Sequence, residues 1–131
     1  TADFWLDHPN LPEDGIPYWD FNAGQEDYVP DWNYDPEIFK VVPRDASAAA
    51  IVASAFLELS GYVTDGKKCS AAAAHILKSL SSPAYLAEPG TNCNFILMHS
   101  VGSIPHGEEI DVPLIYADYY YLEALMRYKN M

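Results

Sequence analysis

Apolar positions along this chain cluster into three long blocks, near residues 46–59, 69–80 and 114–126, and their spacing predicts a mostly helical protein. In the first block Ile51, Val52, Phe56, Leu57 and Leu59 mix with alanines at 46, 48, 49, 50, 53 and 55. Asp45 suits the N-cap of a helix running to about Ser60, and Gly61 suits its stop. A helix apolar on most of its circumference is expected to be buried on several sides, and its alanines let neighbours approach closely. Asp65 caps a second predicted helix, with Gly66 tolerated in the first turn, through Ala71 to Ala74, Ile76, Leu77 and Leu80 to about Ser81. Ser82-Pro83 ends it. A third helix is predicted to start at Asp111, take Pro113 in its first turn and run to about Tyr128, with Arg127 and Lys129 suiting the dipole at its end. Between these, Ala84 to Ala87 reads as one more turn, Glu88 to Asn92 as loop, and Phe95 to Met98 as a short extended piece. Thr1 to Leu6 reads as the last turns of a helix, and the expectation is that the chain is a piece of a longer polypeptide.

Residues 7–44 break this pattern. Prolines at 9, 12, 17, 30, 36 and 43 deny the stretch a regular helix, because each removes a backbone donor and restricts the residue before it. The same stretch holds Tyr18, Trp19, Phe21, Tyr28, Trp32, Tyr34 and Phe39. Long loops in compact domains are usually functional, and seven aromatics favour that reading over disorder. The alternative is that the rings only plaster the loop onto the core.

Composition changes the picture in two ways. Half the residues are hydrophobic, so the chain is globular, and 131 residues make one domain's worth. Seven Lys and Arg against 19 Asp and Glu, a net charge of -12, leave no basic stripe, which excludes nucleic acid and anionic membranes as expected partners. No run approaches the length of a membrane span. Cys69 and Cys93 form neither a CxxC pair nor a zinc spacing, and His99 and His106 have no third ligand at a characteristic distance, so no metal or other cofactor is expected.

Three blocks carry more specific information: Pro17-Tyr18-Trp19-Asp20-Phe21, Pro43-Arg44-Asp45 through Ile51, and His99-Ser100-Val101-Gly102-Ser103-Ile104-Pro105 leading through Asp111-Val112-Pro113 into Tyr116 to Leu125. In this order they resemble the C-terminal end of the unsaturated glucuronyl hydrolases, glycoside hydrolase family 88. The resemblance implies an all-α fold: the last helical hairpins of an (α/α)6 barrel, with a long N-terminal aromatic and proline-rich loop. It implies one partial domain, with the end of a helix at 1–6, loop at 7–44 and hairpins at 45–131. It also implies an open flank, covered by the remaining N-terminal part of the barrel or by an oligomer partner.

Members of that family remove the unsaturated uronic acid that polysaccharide lyases leave on oligosaccharides. An aspartic acid protonates C4 of the C4=C5 enol ether, water adds at C5, and the resulting hemiketal opens. The family's two catalytic aspartates and its Ser-Arg-Gly-Gln-Ala-Trp block lie in the N-terminal half and are absent here, so no catalytic residue is assigned and the isolated chain is expected to be inactive. What the resemblance leaves in this chain is the cleft rim: Ser100, Ser103, Trp19, Tyr18 and Arg44. Ser100 and Ser103 match a Ser-x-x-Ser pair that recognises sulfate or other polar groups in some members; Pro105 stands where some carry lysine, which argues against a strong preference for sulfated substrate. Both serines alternatively cap local turns. Trp19 either stacks on a sugar or anchors the loop. Arg44 either attracts the substrate carboxylate or pairs with Asp45 or Asp20. Tyr116, Tyr119 and Tyr120 share a helix face expected to pack in the core.

Two rival functions remain at this level: an unsaturated rhamnogalacturonyl hydrolase of the same fold, and a non-catalytic helical interaction module. A bacterial periplasmic or cytoplasmic setting follows by analogy only.

Overall fold

The computed structural model describes residues 1–30 and 39–131. Trp32, Tyr34 and Pro36 of the expected loop lie outside the described residues. Among the described residues four α-helices carry the fold: α1 (Ala2–Leu6), α2 (Ala46–Leu59), α3 (Gly66–Leu80) and α4 (Ile115–Lys129). α2 lies against both α3 and α4. Its buried face, Ala46, Ala49, Ala50, Ala53, Phe56 and Leu57, is small at one end and bulky at the other. α3 answers with Cys69, Ala73, Ile76, Leu77 and Leu80, the i, i+4, i+7, i+8, i+11 stripe of an amphipathic helix. Full burial of side chains such as Ile76 and Leu80 is worth roughly 1.5–3 kcal/mol each.

Asp45 caps α2 as expected, its carboxylate accepting from the amides of Ser47 and Ala48. Asp65 precedes α3 without a side-chain cap. Gly66 is required there, not merely tolerated: a Cβ would sit 2.0 Å from the carbonyl oxygen of Ser60, so the α2–α3 corner closes only around a bare backbone.

The expected helical-hairpin fold stands, with one small addition: β1 (Ser100–Ser103) and β2 (Glu108–Val112) form an antiparallel hairpin pairing Ser100 with Val112, Val101 with Ile110 and Ser103 with Glu108, with an irregularity of register between Ser100 and Val101. Two details are corrected. Because β2 occupies its expected start, the last helix begins at Ile115, not Asp111. Pro113 biases Val112 toward extended backbone, and Leu114 is itself extended (φ -129°, ψ 135°). The second correction concerns the tyrosines. Ala117, Tyr121 and Ala124 form the buried face of α4, and the Tyr121 hydroxyl lies 2.8 Å from Ser81 Oγ at the end of α3. Tyr116 and Tyr119 are exposed instead. Small Ala117 and Ala124 set the helix phase, because only that face brings α4 close to its neighbours.

Buried Asp118, one residue after Ala117, accepts from the amides of Ile96 (2.8 Å) and Leu97 (2.9 Å) and so ties the segment ahead of the hairpin to α4. That segment is extended, as expected, and Leu97 forms an isolated bridge with Leu86. Described residues of 7–44 contain no helix and one bridge, Tyr18 with Arg44. Phe21 packs edge-on against Phe4, Trp5 and His8, fastening the loop to α1. Cys69 and Cys93 are both free thiols. Among the described residues, no helix is long and apolar enough to cross a membrane, and no group of three His, Cys, Asp or Glu is placed to hold a metal.

Candidate functional site

The loop, the hairpin and the start of α2 converge on Asp45. Its amide donates to Pro17 O (2.9 Å), the Ala46 amide donates to His99 O (2.9 Å), and the Val101 amide reaches the Asp45 carboxylate (3.4 Å). Trp19 N donates to Pro43 O (3.1 Å), closing the loop onto its own return strand. Next to this junction Tyr116 lies by Ser47; partial burial of its hydroxyl end pushes the phenol up, the Ser47 contact opposes this, and Asp45 and Glu109 add to it.

Arg44 lies beside Tyr18, its guanidinium carbon 5.2 Å from the ring centroid. Its Nε donates to Ile16 O (3.0 Å), and its ion-pair partner is Asp14, not Asp45 or Asp20 as expected. Asp45 is occupied with capping, and Asp20 turns back on the Asn22 amide (2.7 Å). Asp14 is the hub of a small network, accepting also from the Ile16 amide and from the Tyr85 hydroxyl (2.8 Å). Burial, and the hydrogen bond to Asp14, push the Tyr85 phenol far above its ordinary range.

The two serines part company. Ser100 is 0% exposed and its Oγ has no hydrogen-bond partner among the described residues, so this hydroxyl does not face solvent. Ser103, half-buried at the other end of β1, has its Oγ 2.6 Å from His106 Nδ1. The Ser-x-x-Ser spacing alone conceals this divergence, because the register of the hairpin is irregular between Ser100 and Val101. Gly102 between them is covered by Glu109, whose carboxylate would lie 2.1 Å from an added Cβ.

Tyr18, Trp19 and Arg44 are thus brought together on the loop, with the hairpin base beside them through Asp45 and Ser103 further out toward the tip. Sequence reasoning missed Asp14, Tyr85 and the contact between His99 and Asp111, whose Nδ1 and carboxylate lie 2.6 Å apart. Only tertiary closure unites these residues, and no local spacing signals it. His99, Asp111, Arg44 and Lys40 border a cleft of about 340 Å³ between residues 39–44 and the hairpin base.

No protein-family model matches the chain. It is 49% identical, over all 131 residues, to an unsaturated glucuronyl hydrolase of Formosa agariphila, of which it covers 29%. It overlays a crystal structure of an unsaturated glucuronyl hydrolase specific for heparin with a TM-score of 0.83 and 51% identity, covering 98% of this chain and 31% of that one. A Streptococcus agalactiae unsaturated glucuronyl hydrolase variant, complexed with dGlcA-GalNAc6S, matches with a TM-score of 0.72 and 31% identity over 95% of this chain and 30% of that one. The fold is therefore that of helical hairpins from an α/α toroid. The chain is homologous to the unsaturated glucuronyl hydrolases, and it spans less than a third of the length of the relatives it matches.

Proposed function

We propose that this chain serves a glycoside hydrolase that removes unsaturated uronic acid from lyase-generated oligosaccharides by hydrating the C4=C5 enol ether. The observation that carries the proposal is 49% identity along the whole chain, with an overlay covering 98% of it. In this reading residues 1–6, 7–44 and 45–131 form one part of a single barrel domain. A carboxylic acid elsewhere in the barrel protonates C4, because no aspartate of this chain matches the family's catalytic pair. The chain contributes the rim: Tyr18 and Trp19 as aromatic surface, Arg44 as a cation held in place by Asp14, and Ser103 as a hydroxyl near the hairpin tip. Ser100 acts indirectly, from its enclosed position, by shaping the hairpin base.

Two uncovered apolar faces support the partner in this reading. Ile115, Tyr119, Leu122 and Met126 form an i, i+4, i+7, i+11 stripe exposed along α4. On the far side Phe4, Trp5, Val52, Phe56, Leu59 and Tyr62 line an apolar pocket of about 520 Å³. Faces of this kind mark interfaces, and the remainder of the barrel is the occupant that the coverage of the relatives indicates.

A chimera tests the function. The 131 residues of the Formosa agariphila relative that align with this chain are replaced by it, and loss of enol-ether absorbance is followed on an unsaturated uronyl disaccharide. Turnover is expected from the chimera and none from the chain alone. A folded but inactive chimera, or turnover by the chain unaided, overturns the proposal.

A further inference from the structure

We infer that Tyr85 is a positioning residue for the rim: through Asp14 and Arg44 it fixes which face of the Tyr18 ring a sugar can reach. The inference rests on the hydrolase reading for the role of that rim, and deepens it by naming a residue enclosed behind it.

The line of contacts is continuous and crosses three segments of the fold. Tyr85 follows α3, is 7% exposed, and its hydroxyl donates to Asp14 Oδ2 at 2.8 Å. The other Asp14 oxygen pairs with Arg44 and accepts from the Ile16 amide at 3.1 Å. Arg44 in turn donates from Nε to Ile16 O at 3.0 Å, and its guanidinium carbon stands 5.2 Å from the centroid of the Tyr18 ring. Backbone pairing repeats the link, since Tyr18 and Arg44 form an antiparallel bridge. A guanidinium is planar, so two contacts at different nitrogens, Nε to a carbonyl and Nη2 to a carboxylate, fix its plane as well as its charge. With that group set over one face of Tyr18, the opposite face is the one left for a sugar to stack on.

Chemistry separates this network from an ordinary anchor. Phe21 already fastens the same loop to α1 through apolar edge contacts, which require no burial of polar groups. At Tyr85 the fold instead encloses a hydroxyl, a cost recovered only where the network is satisfied, and satisfied networks select a single arrangement. Tyr85 is also tied through its own backbone, its carbonyl accepting from the Met98 amide at 2.8 Å, and its ring stands edge-on to His99 at 6.2 Å. One residue therefore holds the loop with its hydroxyl and the segment entering the hairpin with its main chain. Its phenol, pushed far above the ordinary range by burial and by the bond to Asp14, with nearby Tyr18 adding to the effect, stays a donor throughout the neutral and mildly alkaline range.

The experiment reads position first and turnover second. Arg44 and Arg127 are the two arginines of the sequence, so each gives its own side-chain NMR signal and the second is a built-in reference. In Tyr85→Phe, which removes one oxygen and keeps the ring, Arg44 Nε–H should exchange with solvent about tenfold faster, the usual effect of losing one hydrogen bond to a charged group, while Arg127 Nε–H keeps its rate. The ring-current shift that Tyr18 imposes on Arg44, defined by its loss in Tyr18→Ala, should shrink as well. Asp14→Asn should reproduce both changes by a separate substitution. Equal changes at the two arginines, or none at either, overturn the inference, because a residue that only supports stability moves both or neither. In the chimera described above, Tyr85→Phe should raise KM for the unsaturated disaccharide about tenfold with kcat nearly kept. In a Tyr18→Ala chimera the same substitution should leave KM where Tyr18→Ala put it, since its effect passes through that ring. An active chimera with unaltered KM in Tyr85→Phe, or with additive effects, sinks the positioning and leaves the hydrolase reading standing. An inactive chimera with the expected Arg44 response overturns the hydrolase reading while the link from Tyr85 to Tyr18 holds.

Discussion

At its N-terminal end α2 is finished in polar detail, with Asp45 accepting from Ser47, Ala48 and Val101 and donating its own amide to Pro17, whereas at its C-terminal end Phe56 and Leu59 border an apolar pocket. One end has every partner it needs within the chain. The other presents Tyr62, 80% exposed, and Phe4 beside an open hollow. The difference separates two kinds of requirement: hydrogen-bond geometry that must be fixed locally to shape a cleft, and apolar coverage that a neighbouring element supplies.

The comparison breaks most sharply at the corner that follows the open end. Gly66→Ala is expected to cost about 3 kcal/mol, since the new Cβ meets the Ser60 backbone and no flexible side chain can yield. Chemical denaturation measures it, and a loss below 1 kcal/mol would show that the corner relaxes. At the polar end Asp45→Ala should cost about 2 kcal/mol and loosen the hairpin as well as the helix start, because the same carboxylate serves Val101. Faster amide exchange at Val101 along with Ser47 and Ala48 checks the double role. Back at the C-terminal end, Arg127 bridges Glu58 and the Ser54 carbonyl from α4 on a partly exposed surface. Arg127→Ala should cost about 1 kcal/mol or less, and salt should shrink the effect. The smallest change in stability, within about 0.5 kcal/mol, is expected for Tyr62→Ser. That change should instead reduce self-association in sedimentation, and unchanged association would argue that the hollow is not sticky.

The sequence announced the polar end better than its chemistry. Asp45 before an alanine-rich block is a local signal, and α2 and α3 start and stop within a residue of where capping and Ser82-Pro83 put them. The hairpin was hidden because Glu109 and Asp111 carry positive φ, which disrupts the alternation a strand normally shows, while Pro113 imitates a helix start. Arg44 finding Asp14 rather than its neighbour Asp45 depends on how residues 7–44 return, a long-range closure that no window of sequence contains. For the serines, the motif was visible but its orientation was not: three residues apart reads as a pair only until the irregular register of the strand is known.

Asp118, gripping two consecutive amides ahead of the hairpin from a helix that follows it, anchors both stems independently of what lies between them. Residues 105–107, all exposed beyond the buried Ile104, can therefore lengthen, shorten or change character without transmitting the alteration to the scaffold. This turn is where variation is absorbed while the architecture stays constant.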